Sequence, residues 1–167
     1  ERYIKGLQSR KDYNKFNNPL DLIKIGVLDL WIGNMDRKAS NPNILITESI
    51  NSKFDFIPID HALCLGYQRQ LKKIVPIQLH IEDRNSILST GLSATILKYS
   101  KKRDLINLNL EIKECMNSCL ENSSFIFSQI PSEWGFSKKA KENITFVLSQ
   151  EERNNSLSSS FIRFKPS

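Results

Sequence analysis

Between Leu20 and Ile32 the apolar residues fall on nearly every side of a helical repeat: Leu20, Leu22, Ile23, Ile25, Val27, Leu28, Leu30, Trp31 and Ile32. A helix without a polar face is a buried one. Asn18 suits the cap, Pro19 the first helical position and Asp21 the positive end. Gly26 weakens the middle of the helix, which predicts a close approach by another backbone there. Gly33-Asn34 tolerates left-handed geometry and ends the run. Asn43–Thr47 and Phe54–Ile59 then read as short strands, with Glu48–Lys53 as the turn between them. Such a hairpin brings Asn43 and Asp60 side by side, because one opens the first strand and the other closes the second.

Beyond Gly66 the pattern turns helical. Gln68–Ile81 is ambiguous and broken by Pro76, whereas Ser86–Tyr99 and Leu105–Leu120 carry apolar residues at helical spacing. In the second of these, Leu105, Leu108, Ile112, Cys115, Met116 and Cys119 form one stripe, which makes the two thiols core residues. Asn122–Ser124 ends that helix. Ile130-Pro131-Ser132-Glu133-Trp134 marks a turn leading into a short helix, and Ser137 caps a last helix through Ser149. The segment before Asn18 reads as irregular or marginally helical. Asn154–Ser160 is rich in Ser and Asn and reads as loose, with Phe161 and Phe164 as residues able to dock back. The fold class is therefore α+β and mainly α, with a hairpin at about 43–60. One domain spans 1–167, divided into a core at 29–66, a helical remainder at 67–153 and a loose tail at 154–167.

Composition narrows the setting. A chain of 167 residues with 40% hydrophobic and 25% charged residues has the size and balance of one globular domain. No apolar run approaches the ~20 residues of a membrane span, so no membrane partner is expected. Three cysteines without a Cys-x-x-Cys pair point to a reducing, cytoplasmic setting. Two histidines and three scattered cysteines do not make a zinc site. The net charge of +6 comes from basic residues spread along the chain, with only short clusters and no interleaved aromatics. Solvated faces explain it better than nucleic acid does. A basic nucleic-acid-binding helical domain is kept as an alternative, whose mark is steep salt dependence.

The chemistry is concentrated in one block. Asp29-Leu30-Trp31-Ile32-Gly33-Asn34-Met35-Asp36-Arg37 is followed by Asn41-Pro42-Asn43-Ile44-Leu45-Ile46 and then by Ile57-Pro58-Ile59-Asp60-His61. The order is an acid, an amide at the lip of an apolar strand, and an acid at the end of another. Phosphotransfer calls for that order: one Asp orients a hydroxyl, while an Asn and a second Asp hold the magnesium that bridges the nucleotide phosphates.

This stretch resembles the catalytic core of the HipA-like kinases, a bacterial branch of the protein-kinase-like fold. It is similar, more distantly, to phosphoinositide kinases, and Ile130-Pro131-x-Glu133-Trp134 also looks like the compact HipA-like family. The resemblance implies an ATP- and Mg2+-dependent kinase acting on a protein Ser or Thr, with a small-molecule hydroxyl as the other substrate class. It assigns Asp36 as the catalytic aspartate, with Arg37 beside it neutralising charge in the loop. Asp60 becomes the metal-binding acid, and His61 packs or hydrogen-bonds behind it. Asn43, which directly precedes Ile-Leu-Ile, is favoured as the magnesium ligand. Asn41, five residues after Asp36, is the second choice. Asn34 and Asp29 support the loop.

The chain departs from that family pattern upstream. No Gly-rich loop and no strand bearing a phosphate-pairing lysine precede Asp36. The expectation is a kinase C-terminal lobe, incomplete without an N-terminal lobe or a partner chain that supplies one. The competing reading is a pseudokinase or binding module without phosphoryl transfer.

Overall fold

The computed structural model describes residues 9–34, 36–49, 51–61, 64–65 and 86–164. The stretch 68–81, ambiguous in sequence, lies outside them. Helix α1 (Arg10–Tyr13) is a single turn closed by a reciprocal cap, in which Ser9 Oγ accepts from Asp12 N–H and Asp12 accepts from Ser9 N–H. Phe16 then enters the core and stacks on Phe56, with ring centroids 4.3 Å apart. Main-chain bonds from Phe54 N to Lys15 O (2.8 Å) and from Asn17 N to Phe54 O (3.0 Å) stitch this segment to the hairpin. The polar N-terminal segment thus hides one core residue.

Helix α2 (Asp21–Ile32) forms the centre of the molecule. Leu22, Ile23, Val27, Leu30 and Trp31 are all at most 2% exposed, as expected of a helix apolar all round. It starts later than the sequence suggests, with Leu20 rather than Asn18 as its cap residue. Asn18 and Pro19 are used in a preceding turn, and the Asn18 amide donates to the Asp21 carboxylate at 2.7 Å. Gly26 does meet a close neighbour, but that neighbour is a side chain rather than backbone. A Cβ there would lie 2.6 Å from Leu88 Cδ2. Gly33 ends the helix in left-handed geometry at φ 62°.

Strands β1 (Ile44–Glu48) and β2 (Phe54–Pro58) pair antiparallel, with Ile44 opposite Pro58 and Glu48 opposite Phe54. Ile44 and Phe56 face the core, while Leu45 and Ile57, paired with each other, are 50% and 43% exposed. The fold is thus mainly helical with one small antiparallel sheet among the described residues, as the sequence pattern predicts.

The helical remainder packs around α2. The expected helix over 86–99 is two elements, a 3₁₀ turn (Ile87–Ser89) and α3 (Gly91–Tyr99). Thr90 separates them with extended backbone and caps α3 through Ser93 N–H. Helix α4 (Lys102–Glu121) buries Leu105, Leu108, Ile112 and Met116. Cys115, expected in that stripe, is exposed, and Cys119 is half-buried. The buried row runs along 108, 112 and 116, so a residue one place before Met116 is turned about 100° away from it. Helix α5 (Ser123–Ser128), a 3₁₀ turn (Ser132–Trp134) and α6 (Lys138–Leu148), capped by Ser137, follow.

The described part of the tail, through Phe164, is structured. It forms α7 (Glu151–Ser158) and a 3₁₀ turn (Ser160–Phe164), with Phe161 wholly buried. Long-range polar contacts fix it. Trp31 Nε1 donates to Asn154 Oδ1 at 3.0 Å, and Arg153 Nη2 donates to the carbonyls of Leu30 (3.0 Å) and Trp31 (2.6 Å). These last two bonds complete the C-terminus of α2. Of its four terminal carbonyls, Asp29 O accepts from Gly33 and Asn34 N–H, Leu30 O and Trp31 O from Arg153, and Ile32 O from Leu65 N–H at 2.7 Å. Helix ends leave these groups without intrahelical partners. Here each one is bonded, so the loop that follows starts from a fixed point.

Candidate active site

The loop after α2 is organised by Asp29, the last acid of the helix. Asp29 is 3% exposed and receives two contacts: the Asn34 amide donates to Oδ1 at 2.9 Å, and Arg37 Nε lies 2.8 Å from Oδ2. Burial pushes the Asp29 carboxyl above the ordinary range, opposed by the Arg37 charge and the Asn34 bond. Asn34 Oδ1 then accepts from Asp36 N–H at 3.1 Å, which orients the backbone of Asp36. Asp36 itself is half-buried, and its Oδ2 accepts from the Asn43 amide at 2.7 Å.

Asn43 sits just before β1 in left-handed geometry, φ 44°, and Asp60 just after β2 at φ 56°. Asn and Asp are the residue types that tolerate this region best apart from glycine. Ile59 N–H bonds Asn43 O at 3.0 Å, so the residue before Asp60 is tied to Asn43. The sequence expectation that Asn43 and Asp60 share the open end of the hairpin follows from this register. The main chain of Asn41 pairs both ways with Lys38 in a tight turn (2.9 and 3.1 Å), and it is the Asn43 amide that meets Asp36.

Arg37 is wholly buried. Its Nη1 donates to the carbonyls of Asn43 and of Ile59 (3.1 Å), with Pro42 O at 3.4 Å, and its Nη2 lies 2.9 Å from His61 Nε2. An arginine has only donors, so His61 Nε2 is the acceptor and its proton is on Nδ1. His61 therefore hydrogen-bonds behind the loop. Cys64 lies nearby, and burial pushes its thiol up to about 11, with the Asp29 and Asp60 charges adding to the shift.

The oxygen donors at this mouth suit a hard cation. The Asn43 nitrogen is committed to Asp36, which leaves the amide oxygen as its possible ligand atom. Asp60 is exposed. Among the described residues no three His, Cys, Asp or Glu side chains gather into a metal-binding group. A magnesium here would take one carboxylate and one amide from the protein and complete its shell from phosphate and water, the arrangement that ion usually adopts.

A profile of HipA-like kinases matches residues 11–160. The chain belongs to the HipA-like kinase family. Its coarse activity is accordingly that of a kinase-type phosphotransferase. No curated protein and no solved structure matches the chain. The match to the HipA-like kinase profile takes in α7, which the sequence pattern left as loose tail. Among the described residues no helix is long and apolar enough to cross a membrane.

The supports that sequence reasoning missed in this HipA-like kinase are distant ones. Arg153 and Leu65 bond the end of α2 from the C-terminal helix and from the segment after Asp60. No local spacing signals either of them.

Proposed function

We propose that this HipA-like kinase uses ATP and Mg2+ to phosphorylate a hydroxyl, with protein Ser or Thr as the preferred substrate class. The observation that carries the reading is the 2.7 Å bond between the Asn43 amide and Asp36, at the mouth that Asp60 also borders. Asp36 would accept a hydrogen bond from the attacking hydroxyl and align it. Asn43 and Asp60 would hold magnesium, with Asn41 as the second choice for the amide ligand. When bound, the ion supplies positive charge that draws off negative charge developing on the phosphates. Arg37, buried, reaches no substrate and acts through its neighbours.

The nucleotide site needs a second body, on this polypeptide or on a partner chain. What supports this is the outward face of the hairpin, where Leu45, Ile57 and Ile59 are 50%, 43% and 40% exposed beside the mouth. An apolar face bordering a polar site is a surface suited to being covered.

The test is calorimetry of Mg·ATP on the full chain and on Asp60→Asn. Metal-dependent binding lost in the variant supports the reading. Nucleotide binding equal in both proteins, with and without metal, favours a binding module instead. Transfer of γ-phosphate by these residues alone, abolished by Asp36→Ala, overturns the need for a second body.

A further inference from the structure

We propose that Arg37 is a positioning residue that sets the spacing of Asn43 and Asp60. The inference rests on the reading of those two residues as metal ligands and adds a residue that touches neither metal nor nucleotide. Three observations carry it. The guanidinium is wholly buried and held on one side by Asp29, 2.8 Å from Nε. On the other side a single nitrogen, Nη1, donates to the carbonyl of Asn43 and to the carbonyl of Ile59, the residue before Asp60. The remaining nitrogen meets His61, the residue after Asp60. One planar group therefore holds the backbone at Asn43 and at Ile59, just before Asp60, and the side chain of His61, just after it.

The planarity is essential. A guanidinium presents donors in a fixed fork, so the Nη1 and Nη2 bonds orient the whole group while Asp29 balances its charge at Nε. The contacts also form a closed circuit: Asp29 to Asn34, Asn34 to Asp36, Asp36 to Asn43, Asn43 to Arg37, and Arg37 back to Asp29. The backbones of Asn43 and Asp60 both have left-handed torsions, conformations that persist only when surroundings over-determine them. Arg37 bonds the main chain at Asn43 and at the residue before Asp60, and so contributes to holding both.

Arg37→Lys keeps the charge and removes the fork, and two readouts decide the matter. The first is hydrogen exchange at Ile59 N–H, which bonds Asn43 O across the mouth. The expected result is exchange about tenfold faster, the loss of roughly one hydrogen bond's worth of protection, with Val27 in the core unchanged. The second is affinity for Mn2+ with a non-hydrolysable ATP analogue, in folded protein well below its melting temperature. A weakening of about 10- to 100-fold is expected, the range seen when a residue behind a metal ligand is lost, with metal-free nucleotide affinity unchanged. A purely structural role would move the core amide and the metal-free affinity as well. Parental values in either readout overturn the proposal. Absence of metal-dependent binding in the parent overturns the magnesium reading and the spacing role together, while the exchange arm still reports whether Arg37 holds the mouth shut. If Arg37→Lys does not fold, His61→Ala takes its place, because His61 is exposed and supplies one acceptor. A smaller change of the same sign in both readouts supports the proposal, and no change overturns it.

Discussion

Arg37 and Asp29 form an ion pair of 2.8 Å whose side chains are 0% and 4% exposed. Removing one member leaves a buried charge without its partner, which costs about 3–5 kcal/mol. Asp29→Ala should therefore lower stability by that amount in denaturant unfolding. Replacing both by apolar residues of similar volume should recover part of the loss. It should not recover all of it, because the carbonyls of Asn43 and Ile59 would then lack a donor.

Gly26→Ala should destabilise despite improving helix propensity. The added Cβ would lie 2.6 Å from Leu88 Cδ2, and Leu88 is 0% exposed with no room to retreat. Overpacking costs about 1–3 kcal/mol and propensity returns ~1 kcal/mol, so a net loss of up to about 2 kcal/mol is expected from thermal unfolding. Pairing the change with Leu88→Ala should give less than the sum of the two single losses.

The buried helix and the hairpin were legible in the sequence because burial and pairing leave periodic signals. The block from Asp29 to Asp60 was legible because its acids and amides cannot be explained by packing alone. What was hidden depends on contacts far apart in the chain. Helix α7 has the Ser- and Asn-rich composition of a loop, and its order comes from Arg153 and Asn154 reaching α2. Thr90 breaks an apolar run that looks continuous, because its hydroxyl caps a new helix. Cys115 shares the spacing of the α4 stripe yet faces solvent, since period alone does not fix the width of a buried face.

Asp12 gives acid sensitivity with a definite sign. Its carboxylate accepts from Lys15 Nζ at 2.8 Å and from Ser9 Oγ and N–H at 2.7 and 2.9 Å, which hold its pKa well below the ordinary 3.8. The lowered pKa means that its contribution is present above 3.8 and is lost as pH falls toward the folded value. Asp12→Asn should melt below the parent at pH 7, and the two melting temperatures should converge as pH falls below about 3.8.

The cysteines should separate by reactivity. Cys115 is exposed, whereas Cys64 is half-buried with its thiol pushed up to about 11. The thiolate is the reactive form. At pH 8 a maleimide should therefore label Cys115 first and leave Cys64 largely unlabelled, as peptide mass mapping would show. Labelling Cys64 first would contradict the burial beside Asp29 and Asp60.

Ser52 occupies the hairpin turn at φ 55° and is exposed. A residue with a Cβ pays for that geometry and glycine does not. Ser52→Gly should raise stability by up to about 1 kcal/mol, read as a shift in denaturant midpoint at unchanged slope.

The two carbonyls at the end of α2 that Arg153 holds belong to residues 122 and 123 positions earlier in the chain. On a ribosome adding about 5–20 residues per second, the loop carrying Asp36 emerges roughly 6–23 s before the arginine that anchors its base. A nascent chain thus carries every side chain of the mouth before it has the footing that sets them. The mouth consequently takes its settled shape when α7 docks rather than when the last of its own residues is made.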